Sequence, residues 1–350
     1  MNIFDSRADR VSLPTSSATN AALIESGVRP RMNLLERILS VVGDFCPGER
    51  LGTLILTINL FTPLCGFYFL KTVRWMDEIQ AGLYVIGSDS REQPKFLRVV
   101  SWNINRGLQL NSVIDFLADS SADLILLQET DINARRTQCG NIPCEIAQAL
   151  QMNYVFGREF EELAQGEVSS PAYHGQAILS PLPLSRPRIL KFRCQSAFWS
   201  PRWFIPPLQL FQRRVGARMT MICEIRIQGR TVVVYNAHLE SRGSDELRCN
   251  QLFEMLTEIR RTSPEMAVLV AGDLNLDIAR GPVASIIAET RLDSPLTHLG
   301  GRPTTRSRHR KGTAIDWILT GKGLIASNPQ IHDAIGASDH YPISVQIQLA

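Results

Sequence analysis

The stretch AVLVAGDLNLD at residues 267–277 passes from a run of apolar side chains directly into polar ones. The apolar run over residues 267–271 predicts a β-strand. Asp273 and Asn275 follow at its end, the position from which a layered sheet presents side chains to a cleft. A lone aspartate in such a position is usually a turn residue or a helix cap. Its meaning therefore depends on whether other strands end in the same way.

Five further stretches have this form, and they lie on both sides of the first. They place the following side chains at the ends of apolar runs: Asn103 and Asn105 in SWNINRG, Glu129 in LLQETD, His238 and Glu240 in NAHLES, Asp316 in AIDWIL, and Asp339 and His340 after Ser338. Each stretch alone is a weak signal. The recurrence of carboxylate, amide and imidazole groups at successive strand ends indicates a catalytic site.

Strand and helix signals surround these stretches. Further strands are predicted at residues 97–102, 124–127, 176–179, 219–227, 231–237, 314–319 and 343–349, and helices at 108–117 and 245–259. Tight turns such as Gln228-Gly229 join some of the strands. Many strands with interspersed helices predict an α/β layered sandwich.

The composition is that of a globular protein. Of the 350 residues, 44% are hydrophobic and 20% are charged, which argues against a disordered chain. The net charge of +3 is too small to make the whole protein basic. The seven cysteines are irregularly spaced and form no CxxC pair. Neither a disulfide framework nor a zinc site is therefore predicted.

In its strand-end blocks the sequence resembles the endonuclease/exonuclease/phosphatase superfamily. These metal-dependent phosphoesterases include abasic-site endonucleases, deoxyribonucleases, sphingomyelinases and inositol-polyphosphate phosphatases. The resemblance runs from about residue 96 to the C-terminus. It implies an α/β four-layer sandwich, with two β-sheets packed face to face and helices on the outside, and it implies hydrolysis of phosphate esters.

The resemblance also implies a metal site. Asn103 and Glu129 would help to hold Mg²⁺, with Mn²⁺ as the alternative ion, and Asp339 would ligate it directly or through water. The residue types agree with this role, because Mg²⁺ prefers oxygen ligands and binds through one or two carboxylates plus substrate phosphate.

The remaining blocks correspond to the reacting groups. By resemblance, Asp273 would position and deprotonate the attacking water, and Asn275 would steady that water or a phosphate oxygen. His340, oriented by Asp316, and His238 would stabilise charge on the phosphoryl oxygens. Positioned electrostatic groups of this kind are the main contribution expected in phosphoryl transfer.

Two basic regions indicate an acidic substrate. Residues 168–223 contain eight basic side chains and no acidic one, with aromatic residues interleaved, and a second basic run spans residues 302–311. Both would bring positive charge towards the cleft of such a fold. The candidate substrate contacts are Asn105, Trp199, Arg202, Trp203, Arg302, Arg306 and Arg308.

Three functions remain open from the sequence. The first is a nuclease or DNA phosphodiesterase, since arginines with stackable aromatic rings suit nucleic acid. The second is a membrane-associated phosphodiesterase or phosphatase acting on a phospholipid or inositol phosphate, since the same mixture suits an anionic membrane. The third is a non-catalytic protein that binds phosphate. No protein partner is predicted.

Residues 1–95 lie outside the resemblance and form a predicted N-terminal extension to the catalytic domain at 96–350. The extension begins with a polar tail, and the apolar spacing at Met32–Phe45 predicts an amphipathic helix. The segment Leu51–Leu70 has no charged residue over 20 positions, long enough to span a bilayer. It also contains an asparagine, a proline and a glycine. A membrane segment and a buried hairpin are both open, as are cytoplasmic and membrane-associated locations.

Overall fold

The computed structural model describes residues 79–82, 95–167, 169–196, 198–199, 213–261, 266–306 and 313–350. The predicted helix at 32–45 and the apolar segment 51–70 lie outside these residues, and so do Arg202, Trp203 and Arg308. Within the described residues no helix combines the length and the apolar character needed to cross a membrane.

The described residues form thirteen strands and four α-helices. In chain order they are β1 (Ile79–Gly82), β2 (Leu97–Arg106), α1 (Leu110–Ser120), β3 (Leu124–Ile132), α2 (Ile142–Leu150), β4 (Asn153–Glu162), β5 (Tyr173–Ser180), β6 (Ser185–Lys191), β7 (Arg214–Gly216), β8 (Met219–Ile227), β9 (Arg230–His238), α3 (Asp245–Arg261), β10 (Ala267–Asp273), α4 (Gly281–Glu289), β11 (Asp316–Thr320), β12 (Leu324–Ile331) and β13 (Ile343–Leu349).

The strands form two mixed sheets. The first has eight strands in the order β1-β4-β5-β3-β2-β13-β12, with β7 also paired to β4. The second has five strands in the order β11-β10-β9-β8-β6. Strands β2 and β3 are parallel, as are β9 and β10, and the other pairs are antiparallel. Each parallel pair therefore brings the carboxyl ends of two strands to the same side of its sheet.

Alternating side chains of the first sheet enter two different cores. Val99 and Leu126 face the second sheet, whereas Val100 and Leu127 belong to a separate apolar cluster, as the period of two along a strand requires. That outer cluster is covered by buried side chains of α1 and α2: Val113, Leu117, Ile142, Ile146 and Ala147. Helix α3 packs on the second sheet with Leu252, Met255 and Leu256. The expected α/β four-layer sandwich is confirmed.

The first sheet also contains a strand that precedes residue 96, the predicted start of the catalytic domain. Strand β1 pairs antiparallel with β4, from Ile79 opposite Gly157 to Gly82 opposite Tyr154. Its four residues extend the first sheet at one edge. Strands predicted at 219–227 and 343–349 coincide with β8 and β13. Strand β4 and helix α2 were not predicted.

Candidate active site

His238, Asp273 and Asp316 lie side by side at one edge of the second sheet. The backbone register places Asp273 opposite His238 on β9 and opposite Asp316 on β11. Gly272 permits this close approach, because its φ is +144° and a Cβ there would lie 1.9 Å from the Ala237 carbonyl oxygen. The glycine-aspartate pair at the end of the apolar run thus aligns three polar side chains.

The carboxylate of Asp273 is the centre of the site. Asn103 of the first sheet donates a hydrogen bond from Nδ2 to Asp273 Oδ2 over 3.1 Å. The same oxygen lies 3.6 Å from His238 Nε2 and 3.7 Å from His340 Nε2. The other oxygen, Oδ1, accepts the Asn275 backbone N–H at 3.0 Å. Asp273 is therefore fixed by both sheets and faces two imidazole rings.

His340 is held by Asp316 as the sequence analysis expected. His340 Nδ1 lies 2.9 Å from Asp316 Oδ2, which also accepts a hydrogen bond from the Thr304 hydroxyl at 2.6 Å. Burial alone would lower the pKa of His340, but the charges of Asp316 and Asp273 outweigh it and raise the pKa to about 10. His340 is accordingly an imidazolium, with Nε2 turned towards Asp273.

His238 is supported by two buried charged residues that the sequence analysis did not identify. Arg218 Nη1 lies 2.9 Å and 3.1 Å from the two ring nitrogens of His238. Glu159 Oε2 lies 3.3 Å from the same guanidinium nitrogen and 3.6 Å from His238 Nδ1. Burial alone would raise the pKa of Glu159, but the positive charges of His238 and Arg218 outweigh it and lower the pKa. The three side chains thus form one buried group of mutual contacts.

The candidate metal ligands lie where strands β2 and β3 are irregular. The register shifts between Asn103 and Arg106 and between Leu127 and Thr130, and the φ of Glu129 is +51°. Such bulges re-aim side chains beside active sites. Here they accompany a local contact, 3.5 Å from Arg106 Nη2 to Glu129 Oε2. Both strand irregularities therefore belong to the site.

The candidate ligands present oxygen atoms. Asn103 Oδ1 accepts one hydrogen bond, from Asn105 N at 3.1 Å, which leaves it a second lone pair. Burial would raise the pKa of Glu129, but the positive charges around it, led by His174 and then Arg106, hold that pKa far below its ordinary value. The exposed Asp339 follows Ser338, whose hydroxyl donates to the Asn103 carbonyl oxygen at 2.7 Å. Amide and carboxylate oxygens fit Mg²⁺ or Mn²⁺.

A second group could also be considered for a metal. One ligand atom from each of Asp273, Asp316 and His340 lies within 4.8 Å of the others. However, both carboxylate oxygens of Asp316 lie within 3.0 Å of His340 Nδ1. These atoms already bond to one another. The oxygen donors of Asn103 and Glu129 are therefore the better match.

The described candidate substrate contacts lie in different surroundings. Trp199 is only 6% exposed, and its indole N–H donates to the Glu240 carboxylate at 2.8 Å. It therefore supports the structure at the side of the site. The exposed Arg302 pairs with Asp333 at 2.6 Å. Arg306 donates to the Ile335 carbonyl oxygen at 3.0 Å. Asn105 accepts a hydrogen bond from the neighbouring Arg106. Their roles in binding substrate remain predictions.

A basic cleft of about 590 Å³ adjoins Glu129. Its charged and aromatic lining consists of Arg106, Arg136, Arg213, Arg214, Arg218, Arg242, Glu129, Glu162, Phe198 and Trp199. Six arginines thus face two glutamates. The absence of acidic residues over 168–223 was the sequence signal for this surface, although that signal did not identify which arginines form it.

Comparison with known proteins agrees with the site. The profile of the Endonuclease/Exonuclease/phosphatase family matches residues 100–340, which include every strand-end block of the site. The chain belongs to this family. It is accordingly a metal-dependent hydrolase that acts on phosphate esters. A search of curated proteins finds no match.

Solved structures share the fold at low identity. An endonuclease/exonuclease/phosphatase from Beutenbergia cavernae is 17% identical, covers 73% of this chain and 72% of its own, and has a TM-score of 0.55. The human Nocturnin catalytic domain with bound sulfate is 14% identical and has a TM-score of 0.54; the match covers 79% of this chain and 99% of that domain. A family protein from Leptotrichia buccalis is 17% identical, with coverage of 72% and 100% and a TM-score of 0.51.

Proposed function

We propose that this hydrolase cleaves phosphodiester bonds of nucleic acid, as a nuclease or DNA phosphodiesterase. The observation that supports it best is the environment of one oxygen atom. Asp273 Oδ2 lies 3.6 Å from His238 Nε2, 3.7 Å from His340 Nε2 and 3.1 Å from an amide nitrogen. A proton acceptor is thus placed next to two groups that can bind phosphoryl oxygens.

In this proposal each side chain has a separate task. Asp273 accepts a proton from the attacking water, and Asn275 steadies that water or a phosphate oxygen. His340 donates from Nε2 to a phosphoryl oxygen, because Asp316 keeps its ring protonated. His238 contacts the phosphoryl group from the other side of Asp273. Fixed donors of this kind stabilise the charge that develops in the transition state.

In this proposal the metal ion binds to side-chain oxygen atoms. Asn103 and Glu129 would hold Mg²⁺ or Mn²⁺, and Asp339 would contact it directly or through water. When bound, the ion supplies Lewis-acid stabilisation of charge on the phosphoryl oxygens. His174, and then Arg106 with Nη2 3.5 Å from the carboxylate, hold the pKa of Glu129 low against the effect of burial, so a negative ligand is present at neutral pH.

The basic cleft favours nucleic acid over a phospholipid substrate. Its arginines can contact phosphates, and the ring of Phe198, which is 48% exposed, offers a face on which a base can stack. The apolar segment 51–70, which added to the membrane hypothesis, lies outside the described residues. Nucleic acid is therefore the substrate class that the described surface suits best.

The test is cleavage of a DNA panel by the full-length chain with and without Mg²⁺. The panel contains duplex, single-stranded, abasic and end-blocked DNA. We expect cleavage of at least one member that depends on Mg²⁺ or Mn²⁺. Absence of cleavage for all members, combined with metal-dependent release of phosphate from a phospholipid or inositol phosphate, would contradict the nucleic acid assignment.

A further inference from the structure

The basic cleft lies beside the reacting groups rather than among them. Its lining includes Glu129 and Arg218, but not Asp273 or His340. Arg218 contacts His238 and also donates to the Ser241 hydroxyl at 2.9 Å. The cleft thus continues outward from the site, from the candidate metal ligand on one side and from His238 on the other.

Four arginines of the cleft already pair with carboxylates, among them Arg106 with Glu129 at 3.5 Å. Arg136 makes contacts of 2.6 Å with Asp131 and 3.0 Å with Glu162. Arg214 lies 2.7 Å from the same Glu162. Arg218 is paired with buried Glu159, as described above. These guanidinium groups form the walls, because their hydrogen bonds and charges are largely used within the protein.

The two remaining arginines of the cleft are available to bind a ligand. Arg213 and Arg242 are exposed, and among the described residues no carboxylate forms an ion pair with either. The Arg242 guanidinium carbon lies 4.4 Å from the centre of the Phe198 ring. A guanidinium that rests on an aromatic face keeps its N–H edge free for an anion. The cleft therefore offers two uncompensated positive charges.

Glu240 holds Arg242 and Phe198 close to strand β9, which carries His238. Glu240, two residues after His238, accepts hydrogen bonds from the Arg242 backbone N–H at 2.9 Å and from the Trp199 indole at 2.8 Å. Trp199 in turn lies edge-on to Phe198, with ring centres 4.6 Å apart. A single buried carboxylate thus fixes the position of Arg242 and of the ring that supports it.

We propose that this cleft binds a second phosphate group of the substrate, next to the phosphate that is cleaved, and that Arg213 and Arg242 select it. The inference rests on the proposed function, because it places the cleaved phosphate at Asp273. Arginine suits the task, since its planar guanidinium can make two parallel hydrogen bonds to a phosphate. A substrate with one phosphate would leave both charges without a partner.

The test measures binding without turnover. The full-length chain carries Asp273→Asn so that ligand is not consumed, and affinity is determined by calorimetry in the presence of Mg²⁺. Thymidine 3′,5′-bisphosphate is compared with thymidine 5′-monophosphate, and inositol 1,4-bisphosphate with inositol 1-phosphate. Each pair differs by one phosphate, and the two pairs distinguish a nucleotide from a lipid headgroup as its source.

We expect the bisphosphate to bind roughly tenfold or more tightly than the monophosphate in at least one pair, because arginine can make two parallel, charge-assisted hydrogen bonds to the additional phosphate. Arg213→Gln and Arg242→Gln should each reduce this preference, and the double substitution should remove it. Arg260→Gln, at an exposed position on α3, is the matched control and should keep it.

Equal affinities within both pairs would overturn the proposal, as would an unchanged preference in both single variants. A preference limited to the inositol pair would support the second-phosphate site and assign it to a headgroup. Because binding is measured directly, these outcomes do not depend on DNA cleavage. Failure of the DNA panel alone would therefore contradict the proposed function and leave the cleft result standing.

Discussion

Arg218 affects the geometry of the site through His238 rather than through a contact with Asp273. It is 1% exposed and lies between Glu159 and His238. A buried charge is stable only when it is paired and hydrogen-bonded. The orientation of His238 consequently depends on a pair of residues that do not contact Asp273.

Replacement of Arg218 by methionine should destabilise the protein by roughly 3–5 kcal/mol at neutral pH, because it removes the guanidinium partner of the buried Glu159. The wild-type pKa of Glu159 is lowered, so its ion pair contributes stability above about pH 4.3 and loses it as pH falls through the folded-state pKa. In the variant, burial raises that pKa and Glu159 takes up a proton more readily. The deficit should therefore shrink towards low pH.

Urea unfolding of both proteins at pH 7 and pH 4 measures this difference. Arg226→Met is the control, because Arg226 is exposed and donates to the Gly229 carbonyl oxygen rather than to a buried carboxylate. A deficit of the same size at both pH values would show that Glu159 ionisation is not its origin.

Glu129 is the second residue with a specific prediction. Glu129→Gln removes the charge of the candidate metal ligand, and we expect the Mg²⁺ concentration for half-maximal activity to rise roughly tenfold or more, since loss of even an outer-shell partner costs about 10- to 100-fold in metal affinity. Activity as a function of Mg²⁺ and direct Mn²⁺ binding by calorimetry measure the effect. Glu289→Gln, exposed on α4, should change neither. Unaltered metal affinity in Glu129→Gln would contradict the assignment.

The sequence revealed residues of the site that directly follow an apolar run, and it missed Glu159 and Arg218, which do not. Asp316 and His340 were predicted as a pair, and the structure places them 2.9 Å apart. Glu159 was not predicted, because a glutamate among charged neighbours on β4 has the pattern of an exposed position. Its partner Arg218 is 59 residues away, and no local pattern encodes that distance.

At the scale of elements, the contact between β9 and β10 aligns the catalytic row. Gly272→Ala should destabilise the protein by about 3 kcal/mol, since its Cβ would lie 1.9 Å from the Ala237 carbonyl oxygen at a φ of +144°. Activity should fall as well, because the strands must separate next to Asp273. Gly229→Ala is the control, since Gly229 has positive φ but nothing within 4 Å of the added Cβ. Thermal unfolding compares the two variants. Equal losses of stability would show that the positive φ alone, rather than the contact with Ala237, is responsible.

Strand β1 provides a prediction about the domain boundary. We propose that the catalytic domain includes Ile79–Gly82, which pair with β4. A chain that begins at residue 96 should be less stable than one that begins at residue 79, by on the order of 2 kcal/mol for the lost strand hydrogen bonds. Urea unfolding of the two truncated chains measures it. Equal stability of the two truncated chains would contradict this proposal and place the start of the catalytic domain at residue 96.

Strands formed by runs of apolar residues were predictable, and a strand rich in charged residues was not. Strands β8 and β13 follow from runs of apolar residues, and the observed bounds match the predicted ones. Strand β4 carries an arginine and four glutamates or aromatic residues in its second half, which hides the strand pattern. Glu159 and Glu162 are buried, and Arg218 and Arg214 neutralise them. The charge balance becomes visible only in the folded chain.

At the scale of the whole molecule, the site exists because the two sheets meet. Asn103 of the first sheet donates to Asp273 of the second, and Gln128 donates to Asn236 across the same interface at 2.7 Å. Both interface bonds are buried. The relatives reported above keep this sandwich at 14–17% identity, so the packing of the layers, rather than most individual residues, is what the fold requires.

The central claim is that Asp273 activates the attacking water, and one pair of variants tests it most directly. Asp273→Asn and Asp277→Asn remove the same charge from the same motif, but Asp277 pairs with Arg280 at 3.4 Å and caps the Ala279 N–H at 3.1 Å, away from the imidazole rings. The measurement is kcat on the preferred DNA substrate with saturating Mg²⁺, with circular dichroism to establish that both variants fold. The account predicts a loss of about 10²–10⁴-fold for Asp273→Asn and a rate close to wild type for Asp277→Asn. Near wild-type turnover by a folded Asp273→Asn chain would contradict it.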